Sequence, residues 1–341
     1  MPTRPRRSRL YRALLAALVV ASVAVPLSGA ARPSAVPAPV PPSLAPIRAA
    51  TPAALAERYA ATRDAIRSAE RMADAHGDRR RAATLRAMAE PARQLLSFDG
   101  RDGGRSAEVF GDLSAAERIA VLVPGSDTSL DSYERLRAGA AALAEELGGR
   151  SAVIAWLGYR TPATVGPEVL TPGRAEDAAP LLRSFVAELS TLRPAARISL
   201  ICHSYGSVVC GRAAGGTNAA GRTAGKAPGR EAGPVARVTD IVLYGSPGSG
   251  ADNVAALGTT ATVWAGRGAD DWISEVPHTR LSLPFAEVGL GADPVSPEFG
   301  ARVFAAGDGG HSDYLKPGSV PLRNIALIAA GKVPSEGDRH A

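Results

Sequence analysis

The sequence predicts an α/β fold: a mostly parallel central sheet covered by helices on both faces and preceded by a helical hairpin. Three observations carry this. After Phe98, short apolar runs alternate with stretches of helical period, the pattern of strands joined by crossover helices. Between residues 51 and 97, apolar residues recur at helical spacing with a single break. The 341 residues, 45% hydrophobic and 21% charged, suffice for one large core and are too apolar for general disorder.

The first thirty residues contain no acid and hold Arg4, Arg6, Arg7, Arg9 and Arg12, five of the six net positive charges. The rest of the chain is therefore almost neutral, and no nucleic-acid surface is expected. The apolar run Ala13–Val25 and then Ser28-Gly29-Ala30 follow those arginines. Basic flank, short apolar run and small-residue end read as a secretory signal over 1–30. The alternative is an uncleaved membrane anchor; either places the folded part outside the cytoplasm.

Residues 31–50 are dense in proline and alanine and read as an extended, unpacked linker. Thr51-Pro52 then starts a helix, and His76-Gly77-Asp78 breaks the periodic pattern, so 51–97 reads as a hairpin packed on the main domain. The domain itself is expected over 98–332, with a short tail at 333–341. Its predicted strands are 107–110, 119–123, 152–156, 198–201, 241–244, 262–264 and 302–305. Helical patterns lie around 133–147, 175–192, 207–214 and 252–257. Residues 215–234 are glycine-rich without apolar period and read as a flexible surface insertion.

The stretch Ser199–Gly211, SLICHSYGSVVCG, turns from an apolar strand to small residues at helical spacing through Cys202-His203-Ser204-Tyr205-Gly206. A serine on such a turn stands out of the sheet at a helix N-terminus, where N–H groups favour a developing anion. The expected pattern is G-x-S-x-G; Gly206 meets it and Cys202 replaces its first glycine. Ser204 is thus the candidate nucleophile, although a serine there could also simply cap the helix. His203 is expected to point to the other side of the chain as a packing residue.

A serine nucleophile needs a base and an orienting acid, which in sheets of this kind follow on loops after later strands. The strand at 262–264 leads to Asp270 and Asp271, and that at 302–305 to His311 on a glycine-rich loop. His76 and His340 lie in the hairpin and the tail, and His278 follows the aspartates closely for a separate loop, so His311 is the expected base with His278 in reserve. An oxyanion needs two N–H donors; Tyr205, after the nucleophile, and Ser126, in Pro124-Gly125-Ser126 after an early strand, are the expected pair, with Asp127 as the alternative to Ser126. The only two cysteines, Cys202 and Cys210, flank Ser204 and either form a disulfide or remain buried thiols. No H-E-x-x-H, cysteine cluster or nucleotide fingerprint occurs, so neither metal nor cofactor is expected.

In order along residues 119–330, VLVPGSDTSLD, WLGYRTP, CHSYGSVV, YGSPG, DWISEVPH, DPVSPEFGARVF and GHSDYLKPGS together resemble the α/β-hydrolase superfamily, in particular the bacterial family filed as domain of unknown function 1023. The resemblance implies an α/β-hydrolase fold and a Ser-Asp-His triad. In that family the acid precedes a bulky residue or proline and then isoleucine, which selects Asp271, before Trp272-Ile273, over Asp270. It names no substrate. The resulting expectation is an exported serine hydrolase acting through an acyl-enzyme on an ester or related acyl bond of a small or lipid-like substrate. The alternatives are a catalytically silent binding protein of the same fold and an acyltransferase using the same triad.

Overall fold

The computed structural model describes residues 36–214, 238–278, 280–283 and 286–335. The expected signal and insertion and most of the tail lie outside the described residues. The described residues from Pro37 onward form one unit.

Thr51 caps the first helix, α1 (Pro52–Ala75), by accepting from the Ala54 N–H, and Pro52 takes a first-turn position where no N–H is needed. Asp78 likewise caps α2 (Arg79–Met88) through the Arg81 N–H. Ile66, Leu85 and Met88 are fully buried from these two helices. The hairpin is shorter than expected, because residues 94–99 form a strand, β1 (Gln94–Asp99), although the helical spacing of apolar residues extends to Leu95. Burial of Leu95, Leu96 and Phe98 fits both periods over so short a run, and only pairing with β2 (Arg105–Gly111) separates them. The expected boundary at 97/98 therefore cuts through a strand.

The linker also differs from expectation. Ala50 is buried, its N–H donates to Leu192 O, and the Arg58 guanidinium bonds the Ala45 carbonyl, so the proline-rich segment is fastened to the domain at Ala45 and Ala50.

The sheet continues with β3 (Arg118–Val123), β4 (Ser151–Leu157), β5 (Arg197–His203), β6 (Val238–Tyr244), β7 (Thr262–Gly266) and the two-residue β10 (Arg302–Val303). Its order is β1-β2-β4-β3-β5-β6-β7-β10, parallel from β4 to β10, with β1 and β2 antiparallel at one edge. A separate ribbon pairs β8 (Arg280–Leu283) with β9 (Ala286–Gly289), neither foreseen from the sequence. Helix α3 (Tyr133–Leu147) packs against α6 (Val320–Ala329), and α4 (Gly173–Leu192) against α5 (Gly206–Ala214). Every residue of β4 is buried, as a strand covered on both faces requires. The expected helix at 252–257 is only a 3-10 turn over Ala255–Leu257.

The chain order places β4 on one side of β3 and β5 on the other. The crossovers therefore diverge at β3 and β5, and a crevice opens at the carboxyl ends of these two strands.

A buried ion pair ties the edge strand to this frame. Arg93 donates from Nε and Nη2 to the two oxygens of Glu108 on β2, at 2.6 and 2.5 Å, with side-chain exposures of 9% and 2%. Removing one partner strands the other charge. Glu108→Ala should cost about 3–5 kcal/mol in urea unfolding, and Arg93→Met with Glu108→Leu should recover most of that loss. A Glu108→Ala midpoint equal to wild type would contradict this role.

Candidate active site

Ser204 lies between the last residue of β5 and the first of α5 with φ at +51°, a left-handed conformation that L-residues adopt at a cost. Its N–H donates to Tyr244 O (3.1 Å), and its carbonyl accepts from the Ser207 N–H (2.9 Å). The turn is so tight that a Cβ on Gly206 would lie 2.6 Å from Val123 O and 2.7 Å from Pro124 O. Cys202 fills the other small position, and its side chain is bridged to Cys210 of α5, with Cα atoms 6.5 Å apart. Both sulfurs are buried, so the bridge joins the strand to the helix beneath the turn.

The structure brings Ser204, His311 and Asp271 together. His311 Nε2 lies 2.9 Å from Ser204 Oγ, and Nδ1 lies 2.9 and 3.1 Å from the two Asp271 oxygens. Asp271 is 1% exposed, whereas Asp270 faces solvent. Beyond His311, the Asp271 carboxylate accepts from the Ile273 N–H (2.9 Å) and the Tyr314 hydroxyl. Burial disfavours its charge, but the hydrogen bonds from His311, Tyr314 and Ile273 outweigh that and hold its pKa below the usual carboxylate range. Tyr314 OH accepts in turn from the Gly268 N–H (3.0 Å), which fixes the second partner of the acid.

The loop after β3 reaches the serine from the other side. A Cβ on Gly125 would sit 2.6 Å from Ser204 Cβ, so a side chain there would force the two loops apart. Asp127, at φ +56°, gives its N–H to Pro162 O (3.0 Å). Among the described residues, no acceptor takes the N–H of Ser126 or of Tyr205. The Tyr205 hydroxyl is used elsewhere, donating to Thr171 O (2.7 Å) and accepting from the Ala175 N–H (3.3 Å), which fastens the loop leading into α4.

His203 is where sequence reasoning missed a contact. It was expected to face away; instead its Nε2–H donates to the His311 carbonyl (2.8 Å), and its ring lies tilted 4.8 Å from that of His311 and stacked 4.9 Å from that of Tyr244. The reversal at Ser204 turns the end of β5 beneath the His311 loop. With Trp272 at 4.7 Å from the same imidazole, His311 contacts two neighbouring aromatic rings. Burial and then the nearby His311 push the His203 pKa down to about 3, so its ring is neutral and donates. His278, by contrast, lies 3.9 Å from Asp293 and takes no part in this cluster.

The depressed His203 pKa has a definite sign for stability. Below about pH 6.5 an unfolded chain protonates His203, while the folded site resists protonation down to about pH 3. The unfolded state thus binds the extra proton, and stability is lost as pH falls through that window. His203→Gln, which keeps an amide donor, should flatten the fall between about pH 6.5 and 4 by up to about 1.4 kcal/mol per pH unit, read by denaturant unfolding at each pH. Equal slopes for variant and wild type would exclude this coupling.

A family model described as "Alpha/beta hydrolase" matches residues 99–281, which include Ser204 and Asp271 and end before His311. An uncharacterized protein of Mycobacterium tuberculosis, Rv2079, is 29% identical over 270 residues, covering 69% of this chain and 38% of that protein. This chain thus spans little more than a third of that relative. A second, Rv0963c, is 31% identical over 205 residues, covering 54% of this chain and 70% of its own. Among solved structures, esterase LipW from Mycobacterium marinum aligns at TM-score 0.41 and 14% identity, covering 79% of this chain and 88% of that one. XC6422 from Xanthomonas campestris, described as an a/b serine hydrolase without lid, aligns at 0.39 and 16%, covering 71% and 95%. With more than half of its length matched by the family model, the chain belongs to the alpha/beta hydrolase family.

Proposed function

We propose that this chain is a serine hydrolase that cleaves an ester or related acyl bond through an acyl-enzyme at Ser204. The observation that carries the reading is the continuous relay from Ser204 Oγ to His311 Nε2 and from Nδ1 to Asp271. In acylation His311 takes the Ser204 proton as the Oγ–carbon bond forms; it then returns that proton to the leaving oxygen as the carbon–oxygen bond breaks. Water repeats the sequence and frees the acid. Asp271 keeps the imidazole in the tautomer that accepts at Nε2, and its low pKa keeps it an anion that supports the imidazolium. The N–H groups of Ser126 and Tyr205 stabilise the tetrahedral oxyanion.

Export belongs to the same reading. The basic and apolar segment at 1–30 is its sequence basis, and the Cys202–Cys210 bridge supports an oxidising compartment. The substrate is a small or lipid-like acyl compound. Intact-mass measurement of protein exported from a bacterial host should give a chain beginning near Ala31; a full-length chain in the membrane fraction would point to an anchor instead.

A fluorophosphonate probe tests the chemistry. Wild type should be labelled and hydrolyse aryl esters, while Ser204→Ala should lose labelling entirely. Asp271→Asn should lower kcat by roughly three to four orders of magnitude, and Asp270→Asn by no more than a few-fold. Labelling that persists in Ser204→Ala, or a damaging Asp270→Asn beside a mild Asp271→Asn, would overturn the corresponding assignment.

A further inference from the structure

Beside the triad lies a cavity of about 430 Å³, within the range of small-molecule sites. Two of its walls are Gly125 and His311, the residues that approach Ser204 Oγ from opposite loops. Leu122, Leu136, Tyr244 and Leu315 give it apolar surface. In the reaction proposed above, the leaving oxygen must lie within reach of His311 Nε2, and His311 is the one member of the Ser204, Asp271 and His311 set that lines this cavity.

Most polar groups on its walls are already engaged by the protein. Ser132 Oγ donates to Asp127 O, and the Asp127 carboxylate accepts from the Thr164 N–H. Arg135 is different. It lines the cavity from the first turn of α3, exposed, and no ion pair or hydrogen bond holds its guanidinium among the described residues. The nearby acids are occupied: Asp131 pairs with Arg81 at 2.6 Å and Glu134 with Arg137 at 3.1 Å. The wall therefore offers an apolar surface and one uncommitted cation, with the Asp127 carboxylate repelling an anion from the loop side.

We infer that this cavity holds the leaving group of the substrate, and that Arg135 selects leaving groups bearing an anion, a carboxylate or a phosphate, on an apolar body. The inference rests on the serine-hydrolase reading, and its test is an equilibrium binding measurement that needs no turnover. Calorimetry would compare 4-hydroxybenzoate, 4-hydroxyphenyl phosphate and neutral 4-hydroxybenzamide as leaving-group products. Both anions should bind wild type about tenfold more tightly than the amide, as expected for a hydrogen bond to a charged group. Arg135→Gln should remove that preference, and Arg323→Gln, on the exposed face of α6, should retain it. The tighter of the two anions identifies the headgroup. Equal binding of amide and anions, no binding of either anion at millimolar concentration, or equal loss in both arginine variants would overturn the proposal. Fluorophosphonate labelling of Ser204 is independent of these outcomes, so failure of the hydrolase reading and failure of the anion subsite give different results.

Discussion

The site depends on one backbone constraint, a serine held at φ +51° between a buried strand and a helix. A non-glycine residue in that region costs roughly 1–2 kcal/mol and persists only where its surroundings dictate it. Here they do so at four points: the Ser204 N–H is bonded to Tyr244, Gly206 lies against the carbonyls of Val123 and Pro124, Ser207 closes the turn, and Cys202 is bridged to α5. The strained turn presents Oγ to His311, whose Nε2 lies 2.9 Å away.

The same turn organises the neighbouring elements. His203, ending β5, holds the backbone of His311, and Tyr205, leading into α5, fastens the loop before α4. Three consecutive residues thus tie together Ser204, His311 and the loop before α4. Asp271 shows the same economy: it caps the 3-10 turn Trp272–Glu275 through the Ile273 N–H while accepting from His311. One carboxylate thus serves both the local backbone and the contact with His311.

The parallel sheet was legible because strands covered on both faces are continuous apolar runs separated by helical periods. Ser204 and His311 were legible because each lies just beyond such a strand, in small-residue surroundings. Asp271 was not separable from Asp270 by local pattern; the resemblance selected it, and burial and hydrogen bonding distinguish the two in the structure. What sequence could not give depends on distant partners. β1 is a strand because β2 pairs with it, and the proline-rich segment is held at Ala45 and Ala50 by Arg58 of α1 and by Leu192. His203 was misread because its direction depends on the reversal at Ser204, and its partner is 108 residues away.

The central claim is that bond cleavage passes through a covalent acyl group on Ser204. Rapid acid quenching during turnover of 4-nitrophenyl acetate, followed by peptide mass analysis, reads that intermediate directly. The account predicts one acetyl group on the peptide containing Ser204 and on no other, rising within the first turnover and absent from Ser204→Ala. Release of 4-nitrophenol by wild type with no acetylated peptide at any quench time, or with the acetyl group on a different residue, would contradict it.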